Sequence, residues 1–269
     1  SCAGGPERKP GRAAALNVMR IFRSGRASDE MPFLEHLEEL RWRILWSLLA
    51  LLVCAAIGFV VVVKFNVLKL LIAPIEPLLE GTRLKYLSPT EPFFVTIKLA
   101  MVAGFLLAFP IIFYQFWAFV SPALLPQERR YIIPALYMGL VLFLMGMALA
   151  YFAALPITLQ FMMGFQADSL EQSIVVGPYL AFVVKLLLAF GVIFELPVVV
   201  LVLSALGIVD SKMLAEKRRH AILGITVVAS LITPGDVILL TVFMMVPLML
   251  LYEFSIGLAQ MVERRRLRA

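Results

Sequence analysis

The chain has 269 residues, 62% of them hydrophobic and only 16% charged, with a net charge of +6 and a mean hydropathy of +0.95. A soluble domain needs far more polar surface, so this composition excludes an ordinary water-soluble fold and predicts a polytopic membrane protein. Cys2 and Cys54 form no disulfide framework, His36 and His220 stand isolated without an HExxH pattern, and no GxxxxGK[ST] run is present. No metal, nucleotide or other cofactor site is therefore expected, and energy for any work must come from a partner or from the membrane itself.

Residues 1–30 are basic, carry Arg8, Lys9, Arg12, Arg20, Arg23 and Arg26, and lack apolar periodicity. No apolar core of a signal peptide lies within them. They read as a disordered cytoplasmic tail able to attract anionic lipid headgroups. At Met31 the pattern changes. Pro32 suits the first turn of a helix, and Leu34, Leu37 and Leu40 recur at helical spacing. The other side carries Glu35, Glu38 and Glu39, followed by Arg41 and Arg43. The ordinary expectation is a solvated helix with internal Glu39–Arg43 and Glu38–Arg41 pairs, worth about 0.2–0.5 kcal/mol each. The sharper alternative is a group of carboxylates at the mouth of a membrane protein, waiting for a cation from elsewhere.

The helix runs straight into a first span over 44–63. Residues 64–98 form the longest loop, broken by Pro74, Pro77, Gly81 and the 88–92 cluster, with room for a small helix over 65–72. Thr90, Glu91 and Pro92 look like a cap and first turn for the second span, 93–120, in which Pro110 predicts a kink. A short hydrophilic loop, 121–130, leads to a third span, 131–155, whose continuation Pro156 interrupts. Residues 158–176 carry Asp168 and Glu171 without Lys or Arg, and the fourth span, 178–203, contains Lys185, Glu195 and Pro197. A charged loop, 207–219, precedes two shorter apolar runs, 221–232 and 237–252, divided by Thr233-Pro-Gly-Asp236. The first run reaches roughly 21 Å, less than a ~30 Å hydrocarbon core. It reads either as half of a re-entrant hairpin or as one of two undersized spans around which the bilayer thins. A basic tail ends the chain.

Charge placement orients these elements. With six spans and the N-terminus inside, eighteen Lys and Arg fall on inside segments and five on outside ones. The fold class expected is an all-α membrane protein of six helices with both termini inside, divided as 1–30 tail, 31–257 transmembrane domain and 258–269 basic tail. A weak internal echo sets Lys98, Gly104 and Pro110 against Lys185, Gly191 and Pro197 at a constant offset of 87, with chance as its ordinary explanation.

Glu195 is the most unusual residue, because a carboxylate at the centre of an apolar helix costs about 2.5–3.5 kcal/mol on insertion scales. It must face protein or a wet cavity. Lys185, ten residues away, would be roughly 15 Å distant along a helix and cannot pair with it. Glu128 stands beside Arg129 and Arg130, where a local surface pair is the ordinary reading. Glu39 and Glu128 share one membrane face, and together could each grip a guanidinium bidentately, which Lys cannot reproduce. Asp236 reads first as a turn residue.

His36-Leu-Glu-Glu-Leu-Arg41, Ser88-Pro-Thr-Glu-Pro-Phe93, Tyr114-Gln-Phe-Trp-Ala-Phe119, Pro122-Ala-Leu-Leu-Pro-Gln-Glu-Arg-Arg130, Phe190-Gly-Val-Ile-Phe-Glu-Leu-Pro197 and Leu231-Ile-Thr-Pro-Gly-Asp236 together resemble the TatC family, in the right order from Met31 to Tyr252. The resemblance implies a glove-shaped, concave scaffold with short fifth and sixth helices, which acts as a receptor in the inner membrane and not as an enzyme. It implies recognition of paired arginines in signal peptides of folded cargo by Glu39 and Glu128, with Arg41 and Arg43 close by. It further implies an intramembrane role for Glu195 and partner or structural roles for Pro74, Phe119 and Asp236. TatA and TatB single-span subunits, further copies of the chain and lipid are the implied partners, with transport driven by the proton-motive force and no nucleic acid. The alternative is a proton-coupled secondary transporter of a small solute, which would also place a carboxylate in a span. Against it, paired broken helices in matching halves are missing from the sequence. An intramembrane enzyme is disfavoured by the lack of a nucleophile with a positioned base.

Overall fold

Apolar runs of this length must satisfy their backbone groups internally, and the helix is the way a single segment does so. The computed structural model describes residues 11–79, 83–120, 132–164, 173–232 and 238–266, with side chains described from Leu37 onward except at 132–133, 232, 238–240, 243, 262 and 265–266. Among them all regular structure is helical, apart from one isolated parallel bridge between Lys85 and Val175. The helices are α1 (Gly11–Lys64), α2 (Val67–Ile72), α3 (Glu91–Val120), α4 (Ile132–Leu149), α5 (Leu155–Gly164), α6 (Val176–Ile193), α7 (Leu196–Ala205), α8 (Ser211–Glu216), α9 (Arg218–Ile232) and α10 (Ile238–Arg266). Among the described residues five stretches are long and apolar enough to cross a membrane: Leu37–Lys64, Glu91–Val120, Pro134–Gly164, Val176–Ala205 and Met244–Met261. α9, with 15 residues, reaches only about 22 Å.

The chain divides into two units, Ser1–Trp46 and Ser47–Ala269. The described part of the first is the leading portion of α1, whose backbone is helical from Gly11 and so includes residues that the sequence reading leaves as tail. All packing described below belongs to the second unit.

Its core forms where α6 packs on α4, α7 on α10, and α9 on α10. Phe143, Val183, Leu186, Leu155 and Phe190 are among its most deeply buried side chains. α1 and α3 cross at glycine. A Cβ on Gly58 would stand 2.5 Å from the Ala100 carbonyl oxygen and 2.7 Å from the Gly104 nitrogen, so these backbones meet with no side chain between them. Such close approach through small residues is how helices gain packing in lipid, where no hydrophobic effect drives them together.

Three boundaries differ from the sequence reading, each for a physical reason. The third span does not stop at Pro156. A π turn, Ala150–Ala154, joins α4 to α5 and the helix continues to Gly164. The widened turn accommodates a residue that has no N–H to give the ladder. The fourth span, by contrast, is broken. α6 ends at Ile193 and α7 starts at Leu196, with Pro197 in its first turn, where proline is tolerated. Between them Glu195 donates its N–H to the Val192 carbonyl at 3.1 Å and accepts at its own carbonyl from Val198 and Val199 at 3.0 Å. The last helix runs on to Arg266, past the apolar run, because its polar end has partners: Glu263 accepts from the Ser211 N–H at 2.5 Å and from the Ser211 hydroxyl at 2.6 Å, and Glu253 pairs with Arg218 at 2.8 Å.

The expected small helix in the long loop is present as α2. The chain reverses into it at Asn66, whose φ of 49° is in the left-handed region that Asn tolerates. The expected first turn at 90–92 is also present, with α3 starting at Glu91 and Pro92 next in line. The Glu91 carboxylate accepts from Leu87 N–H at 2.7 Å and from Gly177 N–H at 2.9 Å, tying the start of α3 to the start of α6.

Candidate functional site

The break between α6 and α7 puts Glu195 on a corner. Its side chain does not cap α7; it is buried, with 9% of its surface exposed, and neither carboxylate oxygen has a hydrogen-bond partner among the described residues. Buried polar groups are almost always paired, and an unpaired carboxylate is among the costliest exceptions.

The neighbours explain how the group fits. A Cβ on Gly139 of α4 would stand 2.8 Å from Glu195 Oε2 and closer still to the Phe113 ring, so the missing side chain makes room for both the carboxylate and the ring. Phe113 belongs to a column on α3 at helical spacing, Phe105, Phe109, Phe113 and Trp117. Phe143 of α4 stacks on Phe109 with ring centres 3.7 Å apart. At the end of this column the Trp117 indole N–H is buried and likewise lacks a described partner. The region thus offers an acceptor and a donor within spans, set among aromatic rings. This chemistry suits a polar group carried by an incoming apolar segment, and it supplies no nucleophile or metal cage.

Lys185 takes no part, as its separation predicts. Its ammonium donates to the Leu231 carbonyl at 2.7 Å and so satisfies one of the orphan acceptors at the end of α9.

The other candidate residues belong to other segments of the chain. On α1, Arg43 donates to Glu39 through Nε at 3.1 Å and through a second guanidinium nitrogen. The i,i+4 pair that the sequence predicts is therefore formed, partly exposed, while Arg41 on the same helix is exposed. Glu128 and Asp236 lie outside the described residues. Pro74 is half-buried in the turn after α2, followed by Ile75, 1% exposed, and Phe119 is half-buried in the last turn of α3.

Sequence reasoning found Glu195 but missed its setting. The aromatic column was legible as phenylalanines four apart ending in a tryptophan. The role of Gly139 was not, because nothing in the sequence says which glycine of α4 opposes the corner.

Comparison with known proteins gives this geometry a family. The model of the family described as "Sec-independent protein translocase protein (TatC)" matches residues 35–247. The TatC protein of Aquifex aeolicus is 40% identical over 242 residues, covering 88% of this chain and 98% of its own. That of Desulforapulum autotrophicum is 37% identical over 244 residues, covering 90% and 88%. Among solved structures, a crystal structure of the twin arginine translocase receptor TatC superposes with a TM-score of 0.74 at 39% identity, covering 85% of this chain and 99% of that one. With a family match over most of its length and five stretches able to span a membrane, this chain is a multi-pass membrane protein that belongs to the TatC family of Sec-independent protein translocase components.

Proposed function

We propose that this chain is the core receptor subunit of twin-arginine translocation, binding Arg-Arg signal peptides of folded proteins and exporting them with TatA- and TatB-type partners at the expense of the proton-motive force. The family's work is translocation, not catalysis. In this reading the chain lies in the inner membrane with six spans, α9 being the fifth, and with both termini cytoplasmic. The cytoplasmic surface carries Glu39 and Glu128, flanked by Arg41 and Arg43, and grips the two signal arginines. Pro74, Phe119 and Asp236 serve packing or partner contacts, and copies of the chain associate with one another.

The observation that carries the reading is Glu195, a buried carboxylate without a described partner at a break in a span. A polar group in that position is costly to keep and gains its use when an apolar signal segment lies along the spans and meets it. The Glu39–Arg43 pair is consistent with the arginine-binding role, since a guanidinium already occupies that carboxylate in two-nitrogen geometry.

The test is binding of a labelled twin-arginine peptide to the purified protein in detergent, compared with its Lys-Lys counterpart and repeated with Glu39→Ala and Glu128→Ala. Each Arg–carboxylate contact is worth about 1.5–3 kcal/mol. The Lys-Lys peptide and each variant should therefore bind roughly ten- to a hundredfold more weakly. Equal binding throughout would remove the receptor site from these carboxylates.

A further inference from the structure

The segment ahead of α3 is pinned more firmly than a connection needs. Lys85 donates its N–H to the Ile174 carbonyl and accepts at its own carbonyl from Val176, both at 2.9 Å. Two residues on, Leu87 donates to the Glu91 carboxylate at 2.7 Å, whose other oxygen takes the Gly177 N–H at 2.9 Å. Leu84 is half-buried and packs on the core. Residues 84–87 are therefore bonded to the first turns of both α3 and α6. Glu91 and Val176 are also where two of the membrane-crossing stretches begin.

This pinned segment turns apolar side chains outward. Tyr86 is 62% exposed, and Leu87, at 82%, is the most exposed large apolar side chain among the described residues. On a mobile loop such groups could turn away from water; on a fixed backbone they cannot, and exposed apolar surface of that kind marks a contact. On α3 itself Phe93, Phe94, Ile97 and Met101 recur at helical spacing and are exposed, which makes them the stripe this span presents to lipid. The pair at 86–87 is bordered by Lys85 and Ser88, both exposed. Apolar groups edged by polar ones at the end of a span, one of them a ring with a hydroxyl tip, have the composition of the membrane–water boundary.

We infer that Tyr86 and Leu87 form an interfacial anchor, inserted among phospholipids at the boundary of headgroups and acyl chains. Continuity selects the partner: the lipid that covers the Phe93–Met101 stripe extends to the first turn of α3, and the bond to Glu91 holds Leu87 at that end of the helix. A protein partner would find two side chains to pack against, far short of the roughly 800 Å² per partner that a stable interface buries. Because the segment is bonded to both helices, the anchor holds the starts of α3 and α6 at one depth in the bilayer.

The experiment is fluorescence quenching of a bimane on the full chain carrying Cys2→Ser, Cys54→Ala and Leu87→Cys, held in nanodiscs of dioleoyl phosphatidylcholine. Two nitroxide-labelled phosphatidylcholines, one labelled near the top of its acyl chain and one near its end, are the lipid probes, and iodide is the aqueous probe. The upper nitroxide should quench roughly twofold more than the lower, as a group about 5–10 Å into the headgroup and acyl boundary requires. Iodide should quench less than it does at a Lys217→Cys label, a position exposed ahead of α9. Iodide quenching equal to that at position 217 would put Leu87 in water and overturn the anchor. Protection from iodide and from both nitroxides would mean that protein covers the residue, and overturns it equally. A photoreactive residue in place of Leu87, read in native membranes, needs no change at the buried Cys54. Adducts on phospholipid support the proposal, and adducts on protein alone refute it.

Discussion

Replacing Glu195 with methionine should make the protein more stable and less active at once. The side chain is 9% exposed and neither oxygen has a described partner, so the folded chain bears the desolvation of a carboxylate with nothing to offset it. Methionine has the same unbranched reach and no polar atom. Replacing buried charged groups by well-packed apolar ones of similar volume typically gains about 1–4 kcal/mol. For a domain of this size that is roughly 2–4 °C in Tm per kcal/mol. The assay is paired: thermal unfolding of the purified protein in detergent, and import of a folded twin-arginine substrate into inverted membrane vesicles carrying the same variant. A higher Tm with lost import is the expected result. A lower Tm would mean that Glu195 holds the α6–α7 corner together through contacts the argument leaves out. Full import at any Tm would mean that its carboxylate has no part in transport. Either result refutes the reasoning.

Two further predictions concern the neighbours. Gly139→Ala inserts a Cβ 2.8 Å from Glu195 Oε2 and against the Phe113 ring. It should cost about 1–3 kcal/mol by overpacking and shift the emission of Trp117, which is edge-on to Phe113; an unchanged Tm and spectrum would count against the described wall. Glu91→Ala releases the Leu87 and Gly177 amides. Hydrogen exchange at both should quicken together and Tm should fall by the equivalent of about 1–3 kcal/mol, whereas quickening at one alone would show that the tie is not shared.

The helices were legible because the spans are long, mostly apolar runs, which leave the backbone one choice. Glu195 was legible for the opposite reason, as the one acidic side chain within the fourth span. Prolines were the difficulty. Pro110, Pro156 and Pro197 remove the same N–H from the ladder, yet α3 runs through the first, a π turn absorbs the second and the chain breaks beside the third. The surroundings of the first two differ, with Gly104 against α1 near one and Tyr151 bonded to α2 near the other, and such contacts join residues dozens of positions apart. Local pattern carries no trace of them. The family match favours protein translocation over small-solute transport, which composition and a lone intramembrane carboxylate could not separate.

The π turn in the third span also acts as a phase shifter. A regular helix repeats every 3.6 residues, and one widened turn adds about a residue to the count, rotating everything beyond it by roughly 100°. α4 and α5 therefore share an axis without sharing a stripe: the apolar pattern of one half, extended across residues 150–154, points the wrong way for the other. Tightening the π turn to a regular α turn with every residue kept would leave the composition and a length suited to the bilayer unchanged, yet would turn α5 by roughly 100° against its neighbours. The span would still insert. What would be lost is the angular setting between its two ends, a quantity that hydropathy does not measure.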